Sequence, residues 1–149
     1  MTKTALSLFL LIILLTPLQQ GHAQGILSFR PPESSQETRI TETVTKITGT
    51  NQEPYIVATV DLNGDSLDEY IVKPKNTDFC EQKKLCPYTI MAFQDFMPIL
   101  IGKFDAHKIA ISTKKTYGIQ HIIVYNDLYN DYKTSTAIWN PSSFRFELQ

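Results

Sequence analysis

Two short apolar runs set the rhythm of this chain. Tyr55-Ile56-Val57-Ala58-Thr59-Val60 and Tyr70-Ile71-Val72 are rich in β-branched and aromatic residues, the composition of strands. Between them Asn63-Gly64 supplies the strongest short hairpin signal. The same rhythm continues over 87–94, 98–104, 108–112 and 120–126. It ends with 135–139 and 144–148, joined across Asn140-Pro141-Ser142. Upstream the period differs. Ile40, Val44 and Ile47 follow at i, i+4 and i+7, one helical stripe. Ser34 and Glu37 have the spacing of a capping box, and Gly49 stands where a C-terminal cap belongs. Thr38, Thr41, Thr43, Thr45 and Thr48 pull toward a strand, but spacing and caps together favour the helix. The expected class is therefore α+β: an N-terminal helix on a mainly antiparallel β-sheet or curled meander, in one small domain spanning 34–149.

The first residues carry a different pattern. Lys3 precedes an apolar run over 6–15, Pro17 breaks it, and Gly21-His22-Ala23 offers small residues to a signal peptidase. This predicts a secretory signal peptide over 1–23, because a run of about ten residues is well short of the ~20 a spanning helix needs. The mature chain is then not membrane-spanning, and its expected location is the periplasm or the exterior. Residues 24–33 read as a flexible arm in which Ile26, Leu27 and Phe29 could dock, closed by Pro31-Pro32. Export into an oxidising compartment makes one disulfide between Cys80 and Cys86 the expected state. A zinc site lacks further Cys or His nearby in sequence, and a redox pair would have two intervening residues rather than five.

Composition narrows the class. A length of 149 residues, with 42% apolar and 19% charged content, suits one ordinary globular domain. A net charge of −1 provides no basic footprint for nucleic acid. No 20–50-residue period recurs, which argues against a solenoid or a complete propeller.

The candidate chemistry lies between the first two strands. Asp61, Asn63, Asp65 and Glu69 offer side-chain oxygens, and Leu67 could add its backbone carbonyl. Several oxygens from one short loop are what Ca²⁺ takes as ligands. The competing reading is a solvated turn, since Asn, Asp and Gly favour turns for backbone reasons alone. Ser66 at the sixth position and Val72 at the twelfth exclude an EF-hand and point to weak binding. Asp61-Leu62-Asn63-Gly64-Asp65 followed by Glu69-Tyr70-Ile71-Val72 resembles the calcium-loop core of FG-GAP or VCBS-type repeats, the β-hairpin units of integrin-like propellers. From Ser34 onward the chain is also similar to a family of small exported bacterial proteins of unknown function, with Cys80 and Cys86 at the positions of that family's close cysteine pair. The resemblance implies a fold type and an exported bacterial setting, and no catalytic activity. Ser66 departs from the glycine usual in such loops.

Other constellations are weaker. His107 and His121 invite a catalytic reading, but no nucleophile motif such as Gly-x-Ser-x-Gly accompanies them. A glycosidase-type carboxylate pair drawn from Asp61, Asp65, Asp68 and Glu69 would compete with the cation for the same groups. The polar turn after Tyr125, with Asp127, Tyr129 and Tyr132, has the chemistry of a partner-binding surface. Trp139 is expected in the core. The resulting expectation is an exported, non-enzymatic domain, weakly stabilised by Ca²⁺, that binds a protein or an envelope component. The alternative is an inhibitor or immunity protein whose 125–132 turn plugs a cell-wall hydrolase.

Overall fold

The computed structural model describes Gly25 and residues 27–49, 54–76, 85–127 and 133–149. The helix, α1 (Ser35–Thr48), begins at the expected cap. The Ser34 hydroxyl accepts the Glu37 N–H while the Glu37 carboxylate accepts the Ser34 N–H, and Gly49 closes the helix at φ +70°. The threonines do not break it, because their hydroxyls donate to carbonyls three or four residues back. Thr43 bonds to Arg39, Thr45 to Thr41 and Thr48 to Val44. Ile40 and Val44 are buried, whereas Ile47 is exposed, so two of the three stripe residues enter the core.

The strands form two antiparallel sheets, each in chain order. The first holds β1 (Tyr55–Val60), β2 (Glu69–Pro74), β3 (Cys86–Gln94) and β4 (Met97–Ala106). The second holds β5 (Lys108–Thr116), β6 (Ile119–Tyr125), β7 (Thr134–Asn140) and β8 (Arg145–Leu148). The meander thus breaks at His107, where the chain leaves one sheet for the other. The sheets bury a shared face holding Ile71, Tyr88, Ile90 and Phe104 from the first and Ile122 and Val124 from the second. The opposite face of the first sheet receives α1: Ile40 and Val44 pack with Val57, Tyr70, Val72 and Met91. β2 lies between these two cores, which is why four successive residues, 69–72, are all buried.

Side-chain alternation fixes the faces. On β4, Ile99 and Ile101 face the second sheet, and so do Phe104 and Ala106. The parity switches because the register shifts there: Met91 pairs with Leu100 but Ile90 with Gly102, which leaves Ile101 as the extra residue of a bulge. A Cβ on Gly102 would lie 3.2 Å from Ile90 Cγ1 and 3.3 Å from Phe104 Cζ, so a larger residue there would crowd both side chains.

The stretch expected as a flexible arm is held at two points. Gly25 bridges to Ile111 and Arg30 to Val57, and Leu27 and Phe29 pack against the inter-sheet core. The Arg30 guanidinium donates to both oxygens of Glu37, at 3.0 and 2.7 Å. This fixes the arm to the first turn of the helix. The signal-peptide expectation over 1–23 lies outside the described residues. Among the described residues no helix is long and apolar enough to cross a membrane.

The meander topology also puts the acidic loop at the end where four connections meet. The β1–β2, β3–β4, β5–β6 and β7–β8 connections all lie away from the His107 corner. A hydrogen bond joins them across the sheets: Gln120 N–H donates to the Leu62 carbonyl at 2.8 Å.

Candidate functional site

The acidic loop connects β1 to β2 in a hairpin whose last pair is Val60 with Glu69. Its side chains brace its own backbone. Asp61 accepts the Gly64 N–H at 2.6 Å through one oxygen and the Ser66 N–H at 2.9 Å through the other. Asn63 accepts the Asp65 N–H, and Asp65 accepts the Leu67 N–H, both at 2.8 Å. The Asn63 amide also donates to Asp65 at 2.9 Å. Gly64 at φ +82° and Ser66 at φ +68° turn the chain. Ser66 therefore occupies a backbone conformation that glycine takes at no steric cost. The Gly64 N–H, with the neighbouring amides, holds the Asp61 carboxyl below the ordinary aspartate range.

Glu69 differs from the other acids. It lies two residues before Ile71 on the same strand, so alternation turns it toward the second sheet, and it is only 8% exposed. Its carboxylate accepts the Leu62 N–H at 2.7 Å. Burial pushes its pKa up to about 7, with the charges of Asp65 and Asp61 adding to the rise and the Leu62 N–H opposing it. Three carboxyls thus lie within electrostatic reach of one another.

As a Ca²⁺ site the loop fits in donor chemistry but not in convergence. All its side-chain ligands are oxygens, as the cation requires. Each carboxylate oxygen holding an N–H still has a second lone pair. Yet Asp61, Asn63 and Asp65 aim at neighbouring amides, Glu69 turns inward and Leu67 is exposed. Among the described residues no three His, Cys, Asp or Glu side chains are gathered for a metal.

The loop forms one wall of a cleft of about 410 Å³. Asn63, Asp65, Leu67, Asp68 and Glu69 line that wall, and Phe93, Ile99, Ile119, Trp139 and Phe146 line the rest. Trp139 is half-buried rather than sealed in the core. Its ring meets Phe146 edge-on at 5.5 Å and Phe144 at 6.4 Å. The cleft draws residues from both sheets and escaped the sequence reading. The one signal that could have found its charged corner is the parity of Glu69 with Ile71.

The remaining candidates scatter. His121 shares a 2.7 Å hydrogen bond with Thr116 near the loop end. His107 sits at the opposite corner, its N–H donating to the Tyr125 carbonyl, and its Nδ1 is buried without a partner among the described residues. The two histidines are not brought together. Tyr125 is buried, with Lys108 Nζ 4.3 Å from its ring centre, so its ring is not presented to a partner as expected. Asp127 pairs with Lys133 at 3.4 Å. Tyr129 and Tyr132 lie outside the described residues, as does Cys80. Cys86 is buried at the start of β3, in register with Ala106. No family model, curated protein or solved structure matches this chain.

Proposed function

We propose that this chain is an exported, non-enzymatic binding domain, periplasmic or secreted, in which the acidic loop takes up Ca²⁺ weakly and helps to present a partner-binding cleft. The observation that carries the reading is the self-braced loop standing as one wall of that cleft. A loop fixed by six internal hydrogen bonds offers a preorganised surface, and preorganisation lowers the entropy lost on binding. Asp61 and Asp65 act electrostatically on Glu69 without converging as ligands, which supports only a loosely held cation at millimolar, extracellular levels, the range in which weak Ca²⁺ modules work. The resemblance of the loop to FG-GAP or VCBS-type hairpins supports the same setting. The exported state and the Cys80–Cys86 disulfide belong to the proposal and rest on the amino-acid sequence. The hydrolase-inhibitor alternative draws no support from Tyr125, which is buried.

Thermal melting in chelator, millimolar Ca²⁺ and millimolar Mg²⁺ tests the metal part. The expected result is a Ca²⁺-specific rise in Tm that disappears in Asp61→Ala. An unchanged Tm in Ca²⁺ removes the cation from the proposal. Capture of envelope proteins on the immobilised domain tests the binding part, and recovery of no partner overturns it.

A further inference from the structure

Five of the eight exposed large hydrophobic side chains among the described residues cluster at the loop end: Leu67, Phe96, Met97, Tyr117 and Phe144. They come from all four connections at that end. Phe96 is 87% exposed, Tyr117 72%, Phe144 70% and Leu67 68%. Exposed apolar side chains gathered at one end of a domain, beside a concave opening, mark an interaction site. Leu67 lines the cleft itself, Trp139 lies in its wall, and Phe144 meets the Trp139 ring at 6.4 Å. The charge of the opening is one-sided. Asp65, Asp68 and Glu69 line it, and among the described residues no Lys, Arg or His does. Arg39 stands just outside the lining, its guanidinium 5.6 Å from the Phe93 ring centre and hydrogen-bonded to the Phe96 carbonyl, so the acidic side of the opening is the one formed by the loop.

We propose that the loop end docks a basic, aliphatic segment of a partner protein, with a Lys or Arg side chain entering the cleft. This rests on the binding-domain reading and names its surface and its partner's chemistry. The aliphatic stem would lie along Ile99 and Trp139 while the cationic head meets Asp65 and Asp68, as long basic side chains do when stem and head face different surroundings. The indole face adds attraction for the cation. Flanking apolar residues of the segment would cover Phe96, Tyr117 and Phe144. An anionic membrane is disfavoured by the acidic residues at the opening, and a second copy of this chain by the like charge two such openings would bring together.

Trp139 is the sole tryptophan, so its fluorescence reports on the cleft. The probes are a synthetic peptide of alternating lysine and leucine, its glutamate–leucine counterpart, and oligolysine. The lysine–leucine peptide is expected to shift the emission saturably. Oligolysine should bind at least tenfold more weakly, and the glutamate–leucine peptide should give no response. Asp68→Lys and Tyr117→Ser, each confirmed as folded by its melting curve, should each weaken binding at least tenfold. No saturable response, equal binding of oligolysine, or unchanged binding by both variants overturns the proposal. So does emission that shifts with phosphatidylglycerol vesicles but not with the peptide, or a Tyr117-dependent dimer in sedimentation. If envelope capture by the wild-type domain persists in both variants, the binding-domain reading stands and this surface falls.

Discussion

Replacing Glu69 with glutamine should stabilise the domain at pH 8 and leave it nearly unchanged at pH 5, in the presence of chelator. The carboxyl is nearly sealed between the sheets and titrates at about 7 rather than 4.5. A raised acid binds its proton more tightly folded than unfolded. Its stabilising contribution is therefore complete below about pH 4.5 and disappears as pH rises through about 7. A difference of about 2.5 units at 1.36 kcal/mol each corresponds to roughly 3 kcal/mol. Glutamine keeps an oxygen to accept the Leu62 N–H but places one amide NH₂ in a half-apolar site. The expected net gain at pH 8 is therefore smaller, about 2 kcal/mol. Urea denaturation of both proteins at pH 5, 6, 7 and 8 measures this, and the two stability curves should converge toward pH 5. Parallel curves, with the glutamine form weaker throughout, would show that the ionised carboxylate is a net stabiliser and would refute the reasoning. Millimolar Ca²⁺ adds a second readout. If the loop holds the ion through Glu69, Ca²⁺ should stabilise the wild type at pH 8 more than the variant.

Three further outcomes follow from the same structure. Arg30→Ala should cost about 2 kcal/mol at pH 7, because it leaves the buried Glu37 carboxylate with only the Glu33 and Ser34 N–H groups as partners. The Arg30 guanidinium lowers the Glu37 pKa to about 2, so this stabilisation is complete above about pH 4.5 and lost as pH falls toward 2. The penalty of the variant should therefore shrink in acid when denaturation is repeated at pH 3. Gly102→Ala should cost on the order of 1 kcal/mol or more by crowding Ile90 and Phe104, read as a lower urea midpoint at unchanged slope. Phe96→Asn and Tyr117→Asn should each gain about 0.5–1 kcal/mol. Both residues hold positive φ, +64° and +55°, which asparagine tolerates better, and both variants should lose affinity for the lysine–leucine peptide.

The parts that were legible in the sequence are those set by neighbours. The capping box and Gly49 bound the helix because a cap is decided within four residues. Asn63-Gly64 and the apolar runs around it place a hairpin for the same reason. The split into two sheets had no local signal: Ala106-His107-Lys108 contains neither Gly nor Pro, and the break follows from the need to bury both inner faces. The bulge at Ile101 had one local signal, Gly102 inside a strand run, but which residue is extra is set by the strand pair and not by either strand. The acidic loop was legible as a stretch, but the hydrogen bonds of its oxygens to Gly64, Asp65, Ser66 and Leu67 depend on backbone turns that composition does not specify. The burial of Tyr125 had no local signal, since its position at a strand end does not reveal that Lys108 lies against its ring.

Asp65 belongs to both the loop and the cleft, and this ties the two proposals together. A Ca²⁺ ion on Asp61, Asp65 and Glu69 would neutralise the charge that draws a basic side chain into the opening. A Lys or Arg docked there would likewise lower the loop's attraction for the ion. Linkage makes the effect reciprocal: if Ca²⁺ weakens the peptide tenfold, the peptide weakens Ca²⁺ by the same factor. The opposite sign would follow if the ion acted mainly by stiffening the loop, because a rigid wall loses less entropy on docking. Asp65 already holds the Leu67 N–H and the Asn63 amide, so the wall is braced before any ion arrives. Little stiffening is left for the cation to supply, and antagonism is the sign this geometry favours.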